Sequence, residues 1–479
     1  MKKILLYNWV QFDDEEKRGG GVTVYIKNLI DHLLKDERNE IYFLSSGMAY
    51  DLKKTSMRIE ATHNIYEGTG RCHSFEVVNS PVLSPSSAQF HDLEVYLNDQ
   101  SLYQLIKKFI RSIDGLEVIH FNNLEGLSIN VLNIKEDFPG LNIVFSLHNY
   151  FPFCPQVNLW WKEQMNCIDY KNGSECIDCV GWIDQSYEKQ IRAFGYYYDH
   201  SDKKIPKNKY IFRLRTKRKI INILKTRKIK VQIPRHVIYP KTYTCFRNKN
   251  IELINKNVDH VLAVSERVRE IAIKYGLEEK KVVTSYIGTK VAEHQKLPVK
   301  RKKDGEILNL VYMGYVRRDK GFFFLLDALK CMEETISKKI KITFATRTDD
   351  PFVLNELNGL KSKFAGIVRY DGYDHNSIAK ILKGKDLGVI PVLWQDNLPQ
   401  VAIEMASFGV PILTSDLGGA HELSGSGYFV FKHGDIDDFI EKVRYILENR
   451  DVIEEYWVKY KGLTTMEEHI NEIKKFYFK

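Results

Sequence analysis

Short apolar runs, separated by polar loops and amphipathic stretches, make up most of the first 150 residues. Runs of this length, bounded by turn-forming residues, are typical of strands buried on both faces of a parallel sheet. Beyond the first run, apolar residues recur at three- and four-residue spacing from Val22 to Leu34, which predicts a helix behind the glycine loop at residues 19–21. The strands predicted in this region are residues 4–7, 41–44, 118–120 and 143–147.

The same alternation returns in the second part of the chain. A short, charged, proline-containing stretch at residues 296–304 has the composition of an interdomain linker. Two strand–helix series joined by a linker indicate an α/β protein with two Rossmann-like domains, whose parallel sheets face each other across a cleft. The strands predicted around and beyond the linker are residues 260–265, 307–313, 340–345, 387–391 and 411–414, with helices at residues 266–275 and 322–330.

These patterns also suggest domain limits. We expect an N-terminal domain at residues 1–295, with an insertion at about residues 151–250, and a C-terminal domain at residues 305–460. Residues 461–479 are expected to form a helix that packs back on the N-terminal domain. Because ligands of doubly wound sheets bind outside the carboxyl ends of the strands, the residues that follow each strand are the first candidates for a site.

The composition agrees with a globular protein of this size. Hydrophobic residues make up 44% and charged residues 28% of the 479 residues, which is ordinary for soluble domains. No apolar run approaches the roughly 18 residues of a membrane span. The apolar stretch at the N-terminus is too short for a secretion signal. We therefore expect a cytoplasmic protein.

The net charge of +9 is concentrated in one stretch, the basic segment from Lys203 to Arg235, which contains fourteen Lys or Arg and no Asp or Glu. Aromatic and aliphatic residues are interleaved with these bases, and this composition suits contact with an anionic membrane surface. Such contact would place the protein peripherally at the inner face of the membrane. A solvated basic helix that covers the N-terminal domain is the alternative, and nucleic acid is the least favoured partner.

Four of the seven cysteines lie within 26 residues, in the cysteine-rich segment (residues 154–179). Their spacing is C-x12-C-x8-C-x2-C, with a single Cys-x-x-Cys pair. In a cytoplasmic protein such a cluster suggests a closed, structural zinc site with four thiolate ligands, and buried free thiols are the alternative. The expected ligands are Cys154, Cys167, Cys176 and Cys179.

The first candidate motif for catalysis follows the predicted strand at residues 307–313. A glycine turn that leads into a helix N-terminus, with basic side chains beside it, can bind phosphate. The residues in question are Gly314, Arg317, Arg318 and Lys320. On its own, a glycine followed by basic residues is more often an ordinary loop.

The second candidate motif is a pair of carboxylates. Asp396 is separated by seven residues from Glu404, a little over two helical turns. Two acids at this spacing can serve one ligand, one from a loop and one from a helix, and carboxylates accept hydrogen bonds from ribose and sugar hydroxyls. Two surface acids with no joint role are the alternative.

Together these motifs resemble glycosyltransferase family 4, which has the GT-B fold. The C-terminal match is Gly314, five residues and Lys320, then Asp396, seven residues and Glu404, followed by residues 409–411 (Gly-Val-Pro), 415–419 and Glu422. The N-terminal glycine loop, His148 at a strand end and residues 285–288 match in the expected order. The resemblance covers most of the chain except about residues 153–250. It departs from the family at Tyr315, where Arg is usual, and at Asp396, where Glu is commoner.

The resemblance implies a role for each matching residue. Lys320, with Arg317 or Arg318, would neutralise the donor diphosphate. Glu404 would bind the ribose and Asp396 would face the donor sugar. His148 would contact the transferring sugar or the acceptor, so the expected catalytic residues are His148, Lys320 and Asp396. The other expected donor-binding residues are Gly20, Gly21, Gly314, Leu398, Pro399 and Gln400.

The resemblance also implies an activity. It predicts a retaining transferase that moves a hexose from a UDP- or GDP-linked sugar to a glycan or polyprenyl-diphosphate-linked acceptor, in bacterial cell-surface polysaccharide or lipopolysaccharide synthesis. No cofactor is expected for catalysis, because lysine, arginine and a helix dipole can stabilise the leaving diphosphate. The alternatives are another GT-B activity, such as an epimerase or a phosphorylase, and a catalytically inactive homologue that acts as a membrane-associated scaffold.

Overall fold

The computed structural model describes residues 1–14, 18–85, 93–180, 185–200, 216, 239–294, 307–374, 377–424 and 426–478. The linker predicted at residues 296–304 and all of the basic segment except Thr216 lie outside these described residues. Within them, no helix is both long and apolar enough to cross a membrane.

Most of the first half of the chain forms one eight-stranded sheet. Its strands are β1 (Lys2–Tyr7), β2 (Asn39–Ala49), β3 (Arg58–Thr62), β4 (Cys72–Val78), β5 (Leu116–Phe121), β6 (Asn142–Leu147), β9 (His260–Ala263) and β10 (Val282–Thr284). A short hairpin, β7 (Trp160–Trp161) and β8 (Met165–Asn166), lies outside this sheet. The order is β10-β9-β6-β5-β1-β2-β4-β3, and all neighbours are parallel except β3 and β4.

Helices of the first half cover this sheet. The first of them, α1, buries Tyr25, Ile26, Leu29 and Ile30 at the three- and four-residue spacing read from the sequence. The eighth, α8, begins where the Ser265 hydroxyl accepts a hydrogen bond from the Val268 N–H. The helices are α1 (Gly20–Leu33), α2 (Leu93–Leu97), α3 (Gln100–Ser112), α4 (Ile134–Asp137), α5 (Ser174–Cys179), α6 (Gln185–Asp199), α7 (Pro240–Asn257) and α8 (Glu266–Lys274).

The second half forms a six-stranded parallel sheet. Its strands are β11 (Leu308–Met313), β12 (Ile340–Ala345), β13 (Gly366–Tyr370), β14 (Leu387–Ile390), β15 (Ile412–Ser415) and β16 (Val430–Phe431), in the order β13-β12-β11-β14-β15-β16. Its helices are α9 (Phe322–Cys331), α10 (Glu334–Ser337), α11 (Pro351–Gly359), α12 (Ile378–Leu382), α13 (Gln400–Ser407), α14 (Ile436–Glu448) and α15 (Val452–Lys459). Strands β14 and β15 are buried along their whole length, as expected for a parallel sheet covered on both faces.

The last helix, α16 (Met466–Tyr477), packs on the first half of the chain. It begins with a capping box between Thr465 and Glu468. Its buried face belongs to the same hydrophobic cluster as β1 and α1. Two polar contacts add to this packing: the Tyr25 hydroxyl lies 2.7 Å from His469 Nε2, and the Tyr477 hydroxyl lies 2.5 Å from His120 Nδ1.

The predicted fold class, two Rossmann-like α/β halves, is confirmed. Each predicted strand overlaps an observed one, and residues 340–345 form β12 with the predicted bounds. The pattern missed β3, β4, β7, β8, β10, β13 and β16. Polar residues interrupt the apolar ones in β4, which lies near the edge of the sheet. Strands β10 and β16 are only three and two residues long. None of these three strands therefore gives a long apolar run.

Candidate active site

The basic motif after β11 is held in place by two glycines. Gly314 ends the strand with φ at +152°, and Gly321 caps α9 with φ at +73°. A Cβ at Gly321 would overlap the carbonyl oxygen of Pro391, so the absence of a side chain lets the start of α9 approach the end of β14. As a result Lys320 lies at the carboxyl edge of the second sheet, where ligands of such sheets bind.

Lys320 and Asp396 form an ion pair at this edge. The Lys320 Nζ is 2.6 Å from Asp396 Oδ2, and it also lies 4.9 Å from the centre of the Trp394 ring. The side chain of Lys320 is 26% exposed, whereas that of Asp396 is 10% exposed. The two residues expected to bind the diphosphate and the donor sugar are therefore neutralised by each other, and the cation remains open to an incoming anion.

The neighbouring arginines extend this positive region outward. Arg317 makes a bidentate contact with Asp319, at 2.9 Å and 2.8 Å, while about half of the Arg317 side chain is exposed. Asp319 itself is buried, and its carbonyl accepts a hydrogen bond from the Leu393 N–H. Arg318 is exposed. The ion pair with Asp319 therefore fixes the Arg317 side chain, three residues before Lys320, and leaves part of the Arg317 guanidinium accessible.

Glu404 lies on α13 and is only 4% exposed. Within the described part of the chain, its buried Oε2 atom has no hydrogen-bond partner. Burial raises the pKa of this carboxyl to about 7, because the charged form loses its hydration. Burial, and after it the nearby Glu404 carboxylate, raise the pKa of the Tyr373 hydroxyl. Burying a carboxyl oxygen without a hydrogen-bond partner is unfavourable. A ligand hydroxyl that donates to Glu404 would supply the missing partner.

The loop that presents Asp396 is fixed by the glycines that follow β15. A Cβ at Gly418 would overlap the carbonyl oxygen of Asp396, and one at Gly419 would overlap that of Asn397. The Gly419 N–H donates to the Asp396 carbonyl at 2.9 Å. Beyond this loop, Leu398 and Pro399 are buried, and Gln400 begins α13. The loop that carries Asp396 thus leads directly into the helix that carries Glu404.

His148 follows β6 at the carboxyl edge of the first sheet. The side chain is partly exposed, but its Nε2 atom is buried and has no hydrogen-bond partner among the described residues. Its ring lies 4.9 Å from that of Tyr25. Burial, with a smaller contribution from His469, lowers the pKa of His148 to about 3. The imidazole is therefore neutral at neutral pH, and it can donate or accept a hydrogen bond with a ligand without carrying charge.

The two sheet edges touch each other through the Asp396 loop. The Asn397 side-chain amide donates a hydrogen bond to the carbonyl of His148. The Ser265 hydroxyl donates to the carbonyl of Asn397 at 2.7 Å. Tyr150, two residues after His148, is buried, and the Asp396 carboxylate contributes after burial to raising its pKa. The structure therefore brings His148 to the same place as Lys320 and Asp396.

A second contact between the halves involves Glu422. Its carboxylate accepts hydrogen bonds from the N–H groups of Glu266 and Arg267, at 2.9 Å and 2.8 Å, and from the Tyr286 hydroxyl at 2.7 Å. The N–H groups belong to the first turn of α8, where a negative charge is favourable. Glu422 thus caps a helix of the other half of the chain.

Gly20 and Gly21 form the exposed start of α1. Gly20 has φ at +56°, and a Cβ added to either residue would meet no atom within 4 Å. Their surroundings are open, so a ligand could approach the backbone closely. Residues 15–17, in the loop before them, lie outside the described residues.

The four cysteines of the cysteine-rich segment all line one small cavity. All are free thiols. Burial raises the pKa of Cys154, and it raises those of Cys167 and Cys179 to about 12 and about 11. As placed in the described part of the chain, no three His, Cys, Asp or Glu side chains form a group that could hold a metal ion.

The chain is similar to known proteins both in sequence and in fold. Residues 308–449 match the family described as Glycosyl transferases group 1. Over 99% of both chains, the structure is similar to Anabaena Alr3699/HepE in complex with UDP, with 11% identity and a TM-score of 0.53. The chain has the GT-B glycosyltransferase fold. Sucrose-phosphate synthase from Thermosynechococcus elongatus (12% identity, TM-score 0.56) and the lipopolysaccharide outer core galactosyltransferase WaaB (11%, 0.56) are also similar, over 100% of this chain and 98% and 99% of theirs.

No curated protein matches the chain. The half that contains the glycosyltransferase match carries Lys320, Asp396 and Glu404, and the other half carries His148. Sequence reasoning missed Ser265 and Asn397, which join the two halves, and Trp394, whose ring lies against Lys320. Ser265 and Trp394 follow β9 and β14, which were both predicted, so their positions after strands could have marked them as candidate site residues.

Proposed function

We propose that this chain transfers a sugar from a nucleoside-diphosphate sugar held by its second half. The observation that carries the proposal is the Lys320–Asp396 ion pair at the carboxyl edge of the second sheet, with the unpartnered carboxyl of Glu404 in the same unit. A nucleotide sugar can be bound by a cation at its diphosphate and by carboxylates at its ribose and sugar hydroxyls. The glycosyltransferase match over residues 308–449 supports the same assignment.

In this proposal, the donor exchanges partners with the ion pair. Its diphosphate takes Lys320 from Asp396, with help from Arg317, Arg318 and the N-terminus of α9. Asp396 is then free to accept hydrogen bonds from the sugar hydroxyls. Glu404 accepts the ribose hydroxyls. The interactions made by Lys320 strengthen as negative charge develops on the leaving diphosphate, so they lower the barrier without a metal ion.

We further propose that the configuration of the sugar is retained. The transition state of such a transfer has oxocarbenium character. In the donor complex proposed above, Asp396 accepts hydrogen bonds from the sugar hydroxyls and is therefore assigned as a binding group. A displacement in which the acceptor attacks from the same face as the leaving diphosphate therefore suits the site better than a covalent intermediate. His148, which is neutral at neutral pH, would position the sugar or the acceptor through its unpartnered Nε2.

The proposed donor is a UDP-hexose and the proposed acceptor a glycan or a lipid-linked glycan. The similar Anabaena protein was crystallised with UDP and with UDP-glucose, the latter at a TM-score of 0.51. WaaB, another similar structure, is a galactosyltransferase of the lipopolysaccharide outer core. On this basis we place the chain in the synthesis of a bacterial surface polysaccharide.

The test of the donor site is thermal unfolding of the full chain with UDP, GDP, ADP and CMP, each with and without Mg²⁺. A ligand at about a hundred times its dissociation constant stabilises a protein by roughly 2.7 kcal/mol, so we expect a clear rise of the midpoint with UDP that does not depend on Mg²⁺. Lys320→Ala should lose this rise, while Lys361→Ala, at an exposed position in the same half, should keep it. A lack of response to all four nucleotides would favour an inactive scaffold instead.

The basic segment is proposed to hold the enzyme at an anionic membrane surface, where a lipid-linked acceptor would lie. Support comes from its fourteen bases without an acid, since each base near such a surface adds about 1 kcal/mol of attraction. Binding to vesicles with anionic lipid should fall sharply when residues 217–219 are neutralised. Unchanged binding of that variant would remove the membrane from the proposal.

A further inference from the structure

The cysteine-rich segment folds around a single small cavity. Its thiols come from three places in the chain: Cys154 lies before the β7–β8 hairpin, Cys167 directly follows it, and Cys176 and Cys179 lie on α5. The Cys167 N–H donates to the carbonyl of Leu159 at 2.8 Å, which closes the hairpin. The cavity is about 10 Å³, close to the space that one small ion or one water molecule needs.

A buried arginine lies against the same cavity. Arg247, on α7, is 2% exposed and lies 3.8 Å from the centre of the Tyr170 ring. Its Nε donates to the carbonyl of Phe153, and its Nη2 lies 3.2 Å from the sulfur of Cys176. Its remaining nitrogen, Nη1, has no hydrogen-bond partner among the described residues.

This guanidinium has no carboxylate partner in the described part of the chain. Glu175 also lines the cavity, but its carboxylate pairs with Lys171 at 2.8 Å. A buried cation without a counter-charge is unfavourable, and arginine stays protonated in proteins. Arg247 and the four cysteines line the same cavity, so a negatively charged group formed in this cavity would compensate the guanidinium.

We propose that the four thiols bind one zinc ion as a closed structural site, and that Arg247 compensates its charge. Zinc prefers four thiolate sulfurs in a tetrahedron, at about 2.3 Å. Binding breaks four S–H bonds, forms four Zn–S bonds and releases four protons to solvent, which leaves a net charge of about −2 on the cluster. In the structure the thiols surround the cavity without standing at ligand positions, so binding includes rotation of these side chains toward the ion.

The site would act on the cleft through the hairpin. The Asn166 side-chain amide donates a hydrogen bond to the carbonyl of Leu393, at 2.8 Å. Leu393 precedes Trp394, whose ring lies against Lys320. Since the segment has little regular structure of its own, a metal ion would fix the wall that it adds beside the donor site.

Elemental analysis of the purified full-length protein tests the site without any measurement of activity. We expect about one zinc per chain in the wild type and in Cys245→Ser and Cys331→Ser, which change exposed cysteines outside the segment. Cys176→Ser and Cys179→Ser should each fall below about a tenth of an equivalent. Cobalt loaded in place of zinc should give the absorption bands of a tetrahedral thiolate complex in the wild type and in these two controls, but not in Cys176→Ser or Cys179→Ser.

Three results would overturn the proposal. Less than about a tenth of an equivalent of zinc in the wild type, together with no cobalt bands, would mean that the thiols bind no metal. Full zinc content in Cys176→Ser would place the ion elsewhere. Disulfide bonds within the segment, found by mass spectrometry after alkylation of the unreduced protein, would show that the sulfurs pair with each other. None of these results bears on nucleotide binding, which the thermal unfolding panel measures separately.

The role of Arg247 has its own readout, the rate at which zinc passes to a chromogenic chelator. Arg247→Met removes the charge and keeps an apolar side chain in the space, so we expect release at least about tenfold faster than in the wild type. Arg247→Lys keeps the charge and should lie closer to the wild type. Equal rates in all three proteins would contradict a charge-compensating role.

Discussion

Two cations of this protein, Lys320 and Arg247, differ in how their charge is balanced. Lys320 pairs with the Asp396 carboxylate at 2.6 Å, and about a quarter of its side chain is exposed. Arg247 is 2% exposed, stacks on Tyr170 and meets a carbonyl and a thiol but no carboxylate in the described residues. One cation therefore has a partner that can be exchanged, whereas the other is enclosed.

This difference indicates what each cation does. An ion pair at an open edge gives up little when an incoming diphosphate replaces its carboxylate, because both arrangements are charge-assisted. An enclosed guanidinium cannot be reached by a diffusing ligand, so its counter-charge has to be part of the fold. We expect substitutions of Lys320 to affect turnover and substitutions of Arg247 to affect stability.

The largest effect is expected for Lys320→Ala. It removes the charge that we propose stabilises the leaving diphosphate, and loss of one such group costs about 10² to 10³ in rate. The measurement is transfer from a radiolabelled nucleotide sugar, with Lys361→Ala as the matched control. The unfolding midpoint of Lys320→Ala should stay close to that of the wild type. Turnover equal to the wild type would contradict the assignment of the donor site.

Arg247→Ala should show the opposite pattern. Truncation leaves a cavity beside Tyr170 and the thiols, and changes of this size in a core lower the free energy of unfolding by about 2–4 kcal/mol. Urea unfolding followed by tryptophan fluorescence measures the loss. Arg38→Met, at a position whose side chain is 76% exposed, is the control and should change it little. A large loss of UDP affinity in a folded Arg247→Ala protein would mean that the two cations are not independent.

A third, smaller effect concerns the protonation of Glu404. Its raised pKa of about 7 means that the folded protein holds a proton that the unfolded chain has released above about pH 4.5, so its contribution to stability falls as pH rises from about 4.5 to 7. If the ionised form accepts the ribose hydroxyls, UDP affinity should rise about tenfold from pH 6 to pH 8.

Calorimetric titration of UDP at pH 6, 7 and 8 measures this dependence. Glu404→Gln cannot ionise, and should keep only the part of the pH dependence that arises from the UDP phosphates. The difference between the two proteins therefore reports Glu404 alone. Identical pH profiles would show that this carboxyl does not titrate with ligand binding.

The smallest effect is expected in the loop that presents Asp396 to Lys320. Asn397→Ala removes the hydrogen bond to the carbonyl of His148, and a bond of this kind contributes about 1 kcal/mol. The thermal midpoint should fall slightly, and UDP affinity should fall with it, because the carboxylate next to Asn397 is less well positioned. An unchanged midpoint would indicate that the two halves do not make this contact in solution.

Sequence reasoning found most of the central strands and the polar side chains that follow them. The apolar run at residues 340–345 forms β12 without change of bounds, and the motif residues Lys320, Asp396 and His148 lie in the segments that follow β11, β14 and β6. The spacing of apolar residues predicts both where a buried strand lies and where it ends, because each depends on only a few consecutive residues.

Contacts between distant segments were not predictable in this way. Glu422 caps α8 across 155 residues of sequence, and Tyr477 reaches His120 across 357. The mutual pairing of Lys320 and Asp396 was not foreseen either, although both were expected at the donor. Arg247 was missed because an arginine in a helix with many polar residues gives no sign of burial. Such partners depend on how the halves pack, which periodicity does not encode.

The position of α16 sets an order on the formation of the protein. Its residues Met466, Ile470 and Ile473 share a hydrophobic cluster with Ile4 and Leu6, which begin the chain. During synthesis the first sheet is made hundreds of residues before the helix that covers it. The first sheet therefore keeps an open apolar face until residues 466–477 leave the ribosome, and a nascent chain that stops after α15 would carry a complete second sheet beside an uncovered first sheet.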